Sequence, residues 1–203
     1  MKLSNQGIFF MKDRKKTQEK IFLVPLELKH ISDDYLSWVN DSELTKFLEI
    51  GERERTVSDL EDYITNSPKE GRTNFAIFTE KSKTHIGNGS IYDVDITDMS
   101  YEIGWFIGNR DFHGGLYAPM IIYYLHKIAI LEMDLKKCRG LVFKENVRAT
   151  ISNRFVGYKQ IGDSSYFHKK SQTLYPAIEI ELLREDYLAR REEIMKMHPN
   201  FFD

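Results

Sequence analysis

The chain has 203 residues, 29 Lys and Arg against 31 Asp and Glu, a formal net charge of -2, and 41% hydrophobic residues. That length suits one core and one domain, and the near-neutral balance excludes a global pull toward nucleic acid or an anionic membrane, so neither is expected as a partner. A single cysteine, Cys138, excludes an internal disulfide framework and a cysteine-rich zinc site, and it fits a cytoplasmic, reducing location.

Residues 1–20 read as an N-terminal extension. Their apolar piece, 7–11, is shorter than the roughly 7–15 residues a signal peptide needs, so no export signal is expected. The charge cluster at 12–16 reads as a solvated tail. Nowhere does an apolar run approach the roughly 20 residues that span a bilayer, because even 116–133 carries Tyr, His, Lys and Glu.

A first strand is expected over 21–28, then a short helix that starts at Ser32-Asp33-Asp34 and sets Tyr35 and Trp38 on one face. A second helix is expected over 43–48, and a third from Thr56 or Ser58 through Ile64. Three strand-like runs follow, 74–80, 85–93 and 99–107, and suggest an antiparallel meander. In the last of them Tyr101, Ile103, Trp105 and Ile107 share one face, while Glu102, Gly104 and Phe106 share the other. Gly104 is expected to leave space beside the Glu102 carboxylate.

Ala118, Ile121, Ile122, Leu125, Ile128, Ala129 and Met133 then keep helical spacing through about four turns. A buried strand is expected over 138–143, a helix over 146–156, closing strands over 157–166 and 173–183, and a last helix over 184–197. The six histidines show no metal-ligand spacing, so no metal is expected. Core packing is the expected role of Cys138.

Residues 102–118 run strand, glycine-bearing loop, helix start. The first turn of a helix leaves backbone N–H groups unpaired, and its dipole adds about half a positive charge, so this order suits an anion such as phosphate. Pro119 supports the helix start, since its missing N–H is one the helix does not use.

Four segments together resemble the GNAT acetyltransferases, in the branch that holds ribosomal-protein N-terminal acetyltransferases and bacterial amino-sugar acetyltransferases. They are LSWVNDSELTKFL at 36–48, IGNGSIYDVD at 86–95, EIGWFIG with HGGLYA at 102–118, and ENVRATISNRFVGY at 145–158. The resemblance implies a mixed α/β fold with a twisted, mostly antiparallel sheet of six or seven strands and helices on both faces. It places the acetyltransferase domain at 21–187, with a helical tail at 188–203.

The same resemblance implies acetyl-CoA as cosubstrate. Its pyrophosphate would lie on His113, Gly114, Gly115, Leu116, Tyr117 and Ala118, its pantetheine along the strand ending at Phe106 and Ile107, and Asn146 would be a further contact. Leu116 departs from the family pattern, standing where a second glycine is usual, and removes the freedom to take a positive φ there.

An alkyl amine with a pKa of about 10.4 needs a base before it attacks a thioester, and Glu102 matches the glutamate that serves so in several relatives. A strand N–H near Phe106 or Ile107 would stabilise the oxyanion. Many relatives place a tyrosine acid where this chain has Asn153, so the neighbouring Ser152 is the catalytic candidate at that point and the acid is unassigned. Trp38, Phe47 and Tyr92 are the expected substrate-binding residues. The implied function is acetylation of a small-molecule primary amine, an amino sugar first; the alternatives are a protein N-terminus or a non-catalytic acyl-CoA-binding module. A homodimer is among the assemblies the sequence allows.

Overall fold

The computed structural model describes residues 18–48, 53–168 and 172–202; the segments at 7–11 and 12–16 lie outside them. Seven strands form one sheet in the order β1-β2-β3-β4-β5-β7-β6. Strands β1 (Ile21–Pro25), β2 (Thr73–Thr79), β3 (His85–Asp95) and β4 (Ser100–Ile107) pair antiparallel. Strand β5 (Lys137–Phe143) runs parallel to β4 and meets it only at Ser100↔Lys137 and Tyr101↔Cys138. Strands β7 (Thr173–Leu183) and β6 (Lys159–His168) complete the sheet antiparallel to β5 and to each other.

Among the described residues five α-helices cover this mixed α/β sheet. Helix α1 (Asp33–Asn40) starts where Ser32 accepts from the N–H of Tyr35, and α2 (Val57–Asn66) starts at a reciprocal Thr56/Asp59 capping box. Together they cover one face, packing Tyr35, Trp38, Val39, Leu60 and Ile64 on Ala76 and Phe106. The other face carries α3 (Tyr117–Lys127), whose Met120, Ile121, Ile122, Tyr123 and Leu125 are fully buried. Helices α4 (Val147–Val156) and α5 (Arg184–Met197) finish this larger core, which takes in Tyr187, Ile194 and Phe202.

Two expectations fail locally. No helix forms over 43–48: the Asp41 carboxylate takes the N–H groups of Glu43 and Leu44 at 2.9 and 3.2 Å, and the Thr45 hydroxyl bonds Asp41 O at 2.8 Å, so side chains hold the backbone in turns. The long helix is regular only to Lys127 and continues as a π-helical turn over Ile128–Glu132. Its apolar spacing is blind to that change, since Ala129 and Ile130 stay buried either way.

Two core contacts have measurable consequences. A Cβ added to Gly108, directly after β4, would lie 2.0 Å from Trp38 Cδ2. Gly108→Ala should therefore cost about 1–3 kcal/mol of overpacking, read as a lower urea midpoint; an unchanged midpoint would contradict the contact. On the other face, Tyr101 Oη and His126 Nδ1 share a 2.8 Å hydrogen bond, and full burial drives the His126 pKa down to about 3. The unfolded chain titrates near the ordinary value of about 6.5, so between those pH values it binds a proton that the folded state refuses. Stability is thus fully present above that window and falls as pH drops through it, by up to about 1.4 kcal/mol per pH unit. Urea midpoints measured from pH 7 to pH 4 should show this slope, and His126→Gln should flatten it; parallel curves would refute the assignment.

Candidate active site

The short β4/β5 pairing leaves the C-terminal half of β4 without a neighbour on that side. Which backbone groups face the opening follows from the ladder on the other side. Gly108 N–H donates to Ile86 O at 2.9 Å, and hydrogen-bonded pairs alternate in an antiparallel ladder, so the N–H groups of Glu102, Gly104 and Phe106 belong to β3. Those of Ile103, Trp105 and Ile107 point the other way. The Ile103 N–H accordingly lies against the Cys138 thiol, and Ile107 O accepts from His113 Nε2 at 2.9 Å. Of the two N–H groups considered for an oxyanion, the one at Ile107 faces the opening and the one at Phe106 serves the ladder with Asn88.

Glu102 stands opposite Tyr92 in the register, and Tyr92 Oη donates to Glu102 Oε2 across a long 3.3 Å. Burial, reinforced by the Glu102 charge, holds the Tyr92 phenol well above its usual pKa, with Arg72 acting in the opposite sense. The phenol therefore stays a donor at neutral pH. The space over Gly104 is not open as expected: a Cβ built there would meet Ser90 Oγ at 3.2 Å and Tyr92 Cε1 at 3.3 Å. Glycine lets Tyr92 lean over the strand toward Glu102. Sequence reasoning missed Ser90 and Arg72. Arg72 stacks on the Tyr92 ring at 3.9 Å and donates from Nη1 to Ser90 Oγ at 3.1 Å.

The loop after β4 ends at a helix start without a side-chain cap. Asn109 Oδ1 accepts from Asp111 N–H at 3.0 Å and opens a 3-10 turn over Arg110–Phe112. The His113 bond to Ile107 then ties the loop back to the strand. Gly114 and Gly115 take φ values of 96° and 60°, while Leu116 caps α3 at φ -97°. The left-handed positions thus fall on the two glycines, and Leu116 meets no demand for positive φ. No side chain caps α3 and no acid lies in its first turn, the setting in which helix-start N–H groups take an anion. Nothing lies within 4 Å of a Cβ built on Gly114. Beside Gly115 lies the Gln18 side chain, whose Nε2 is buried with no partner among the described residues. An open turn and a helix start with no side-chain cap fit a phosphate group.

The remaining candidates scatter. Asn146 is the N-cap of α4: its Oδ1 accepts from Ala149 N–H at 3.2 Å, which keeps its amide N–H groups for other acceptors. Ser152 lies on the buried face of α4 with Asn153 and Val156, and the hydroxyl placed against Glu102 is that of Tyr92. Trp38 is seated in the core, in edge contact with His85 at 5.2 Å. Phe47 packs on Phe143 at 5.3 Å, and Phe143 in turn meets Tyr166 and Tyr175 on the β6/β7 hairpin. Cys138 is buried, 2.9 Å from Tyr158 Oη, and burial pushes its thiol pKa up to about 12, against the pull of that hydrogen bond. Among the described residues no group of three His, Cys, Asp or Glu could hold a metal ion, and no helix is long and apolar enough to cross a membrane.

Comparison with known proteins agrees with this architecture. The sequence model of the acetyltransferase (GNAT) domain matches residues 20–151, more than half of the chain. Among solved structures, spermidine N-acetyltransferase from Vibrio cholerae, in complex with CoA and spermine, aligns with a TM-score of 0.71 at 18% identity, covering 83% of this chain and 98% of that one. An acetyltransferase (GNAT family) from Bacillus anthracis aligns at 0.70 and 18%, with the same coverage. No curated protein sequence matches significantly. The matched span runs from β1 into α4 and so contains the parted strands, the glycine turn and the start of α3; the chain belongs to the GNAT acetyltransferase family.

Proposed function

We propose that the chain is an acetyl-CoA-dependent N-acetyltransferase that acts by direct attack of a primary amine, with a small molecule as acceptor and an amino sugar foremost. The observation that carries this reading is the position of Glu102, on the strand that parts from β5 and leads into the glycine turn. The spermidine enzyme among the similar structures, with CoA and spermine bound, supports CoA as donor and a small amine as acceptor class. In this reading residues 21–187 are the transferase domain, 1–20 an extension and 188–203 a tail, with Ile194 and Phe202 of the tail packed in the same core. Cys138 as a lone buried thiol supports a cytoplasmic location.

Bound acetyl-CoA would supply a thioester carbonyl open to an amine. The residues fitted to hold it are Gly114 through Ala118 at the diphosphate, by backbone N–H and helix dipole, with His113 tying down the turn, Phe106 and Ile107 along the pantetheine arm, and Asn146 by its free amide. Glu102 takes the proton that keeps an amine of pKa about 10.4 unreactive. Tyr92 orients that carboxylate through its hydrogen bond. The Ile107 N–H is aimed into the opening, where negative charge develops on the carbonyl oxygen. A thiol with a pKa near 8.5 departs without a strong acid, so the reaction does not depend on Ser152 as a proton donor. Phe47 is retained as an acceptor-side contact, beside the aromatic group of Phe143, Tyr166 and Tyr175.

Calorimetry should show acetyl-CoA binding to both the wild type and Glu102→Gln, while turnover of an amine panel falls about 10²–10⁴-fold in the variant. Retained turnover would remove Glu102 as base, and absence of binding at millimolar acetyl-CoA would sink the enzyme reading. Tyr92→Phe should keep binding and lose about tenfold in kcat, as expected for one hydrogen bond to a charged group; an unchanged kcat would leave Tyr92 no orienting role.

A further inference from the structure

A row of three side chains crosses the sheet on the Glu102 face. The register Thr73↔Ile91 continues to set Arg72, one residue ahead of β2, beside Tyr92, and Tyr92 stands opposite Glu102. The Arg72 guanidinium carbon lies over Tyr92, 3.9 Å from the ring centroid, and Ser90 Oγ anchors Nη1. Stacking on an aromatic face and hydrogen bonds to Ser90 and to the Tyr63 phenol orient the fork, and a guanidinium with five N–H donors has others left. A cation and a carboxylate thus flank one phenol ring.

Arg72 is half-buried, and among the described residues no carboxylate forms an ion pair with it. A partly desolvated guanidinium is completed by a planar or tetrahedral oxyanion, which it holds by two parallel hydrogen bonds. The same face carries two further amide nitrogens, Asn74 Nδ2 and Asn88 Nδ2, buried without a partner among the described residues. Donors therefore dominate it, apart from the Glu102 carboxylate.

We propose that Arg72 anchors an anionic group, carboxylate or phosphate, on the same molecule whose amine is delivered to Glu102, so that the acceptor is a compact amine that is also an anion and not an extended polycation. The assignment rests on the acetyl-transfer reading, with Glu102 as base.

The test uses matched probes with the full chain: glucosamine against glucosamine 6-phosphate for phosphate, butylamine against 4-aminobutyrate for carboxylate, and spermidine as the polycation. Wild-type kcat/KM should favour the anionic member of at least one pair by about 10–100-fold, and the pair that shows it identifies the anion. Arg72→Met keeps the aliphatic stem over Tyr92 and should abolish that preference, through KM, while turnover of the neutral member changes less than threefold; Arg72→Lys should restore part of it. Equal losses on both members, or spermidine as the best substrate, would overturn the proposal. Glu102→Gln separates the two levels, since it should lower turnover of both members alike and leave their ratio in KM. If no amine is turned over, calorimetry of the anionic probes in the presence of CoA still decides: binding that Arg72→Met abolishes supports the anion site, and no binding, or binding that the variant keeps, removes it.

Discussion

The parting of β4 from β5 is the constraint on which the rest of this structure depends. A parallel pair normally continues as far as both strands last, but here it stops after Tyr101↔Cys138. From that point the outward N–H and C=O groups of β4 need partners that β5 does not supply, and an unmet backbone group in a protein interior is costly. The protein supplies a few from within: Cys138 lies by the Ile103 N–H, and His113 by Ile107 O. The others form an edge that an extended, amide-bearing molecule can complete.

What lies on either side of the opening differs in kind. At the end of β4 the elements are main-chain: two left-handed glycines and a helix start with no side-chain cap, which suit charge and shape with no side chain needed. On the sheet face the elements are side chains in register, Arg72, Tyr92 and Glu102, with Ser90 beneath. The first kind suits a donor group common to many reactions. The second kind can vary by single substitutions without disturbing the sheet, as selection among acceptors would require.

Much of the fold was legible because it rests on local patterns. The alternation along 99–107 assigned Glu102 to one face, the glycine turn before Tyr117 marked a helix start, and Ser32 and Thr56 marked two others. Leu116 looked like a defect because its neighbours' dihedral angles are not readable from residue type; the structure puts both positive φ values on Gly114 and Gly115. Arg72 escaped notice for a different reason. It sits in a polar connector, and only the register of β2 on β3 brings it to Tyr92. The surroundings of Trp38 and Gly104 were hidden in the same way, since what fills the space around a residue is a tertiary fact: His85 and Gly108 against Trp38, Ser90 and Tyr92 over Gly104.

The seating of Trp38 on Gly108 joins two parts of the molecule with nothing compressible between them. Trp38 belongs to α1, which covers the Glu102 face, and Gly108 begins the loop that runs to the start of α3. With no Cβ on one side and a flat indole on the other, α1 cannot move toward the sheet there without pressing on that loop. The helix over the Glu102 face and the loop that leads to α3 therefore share one packing joint.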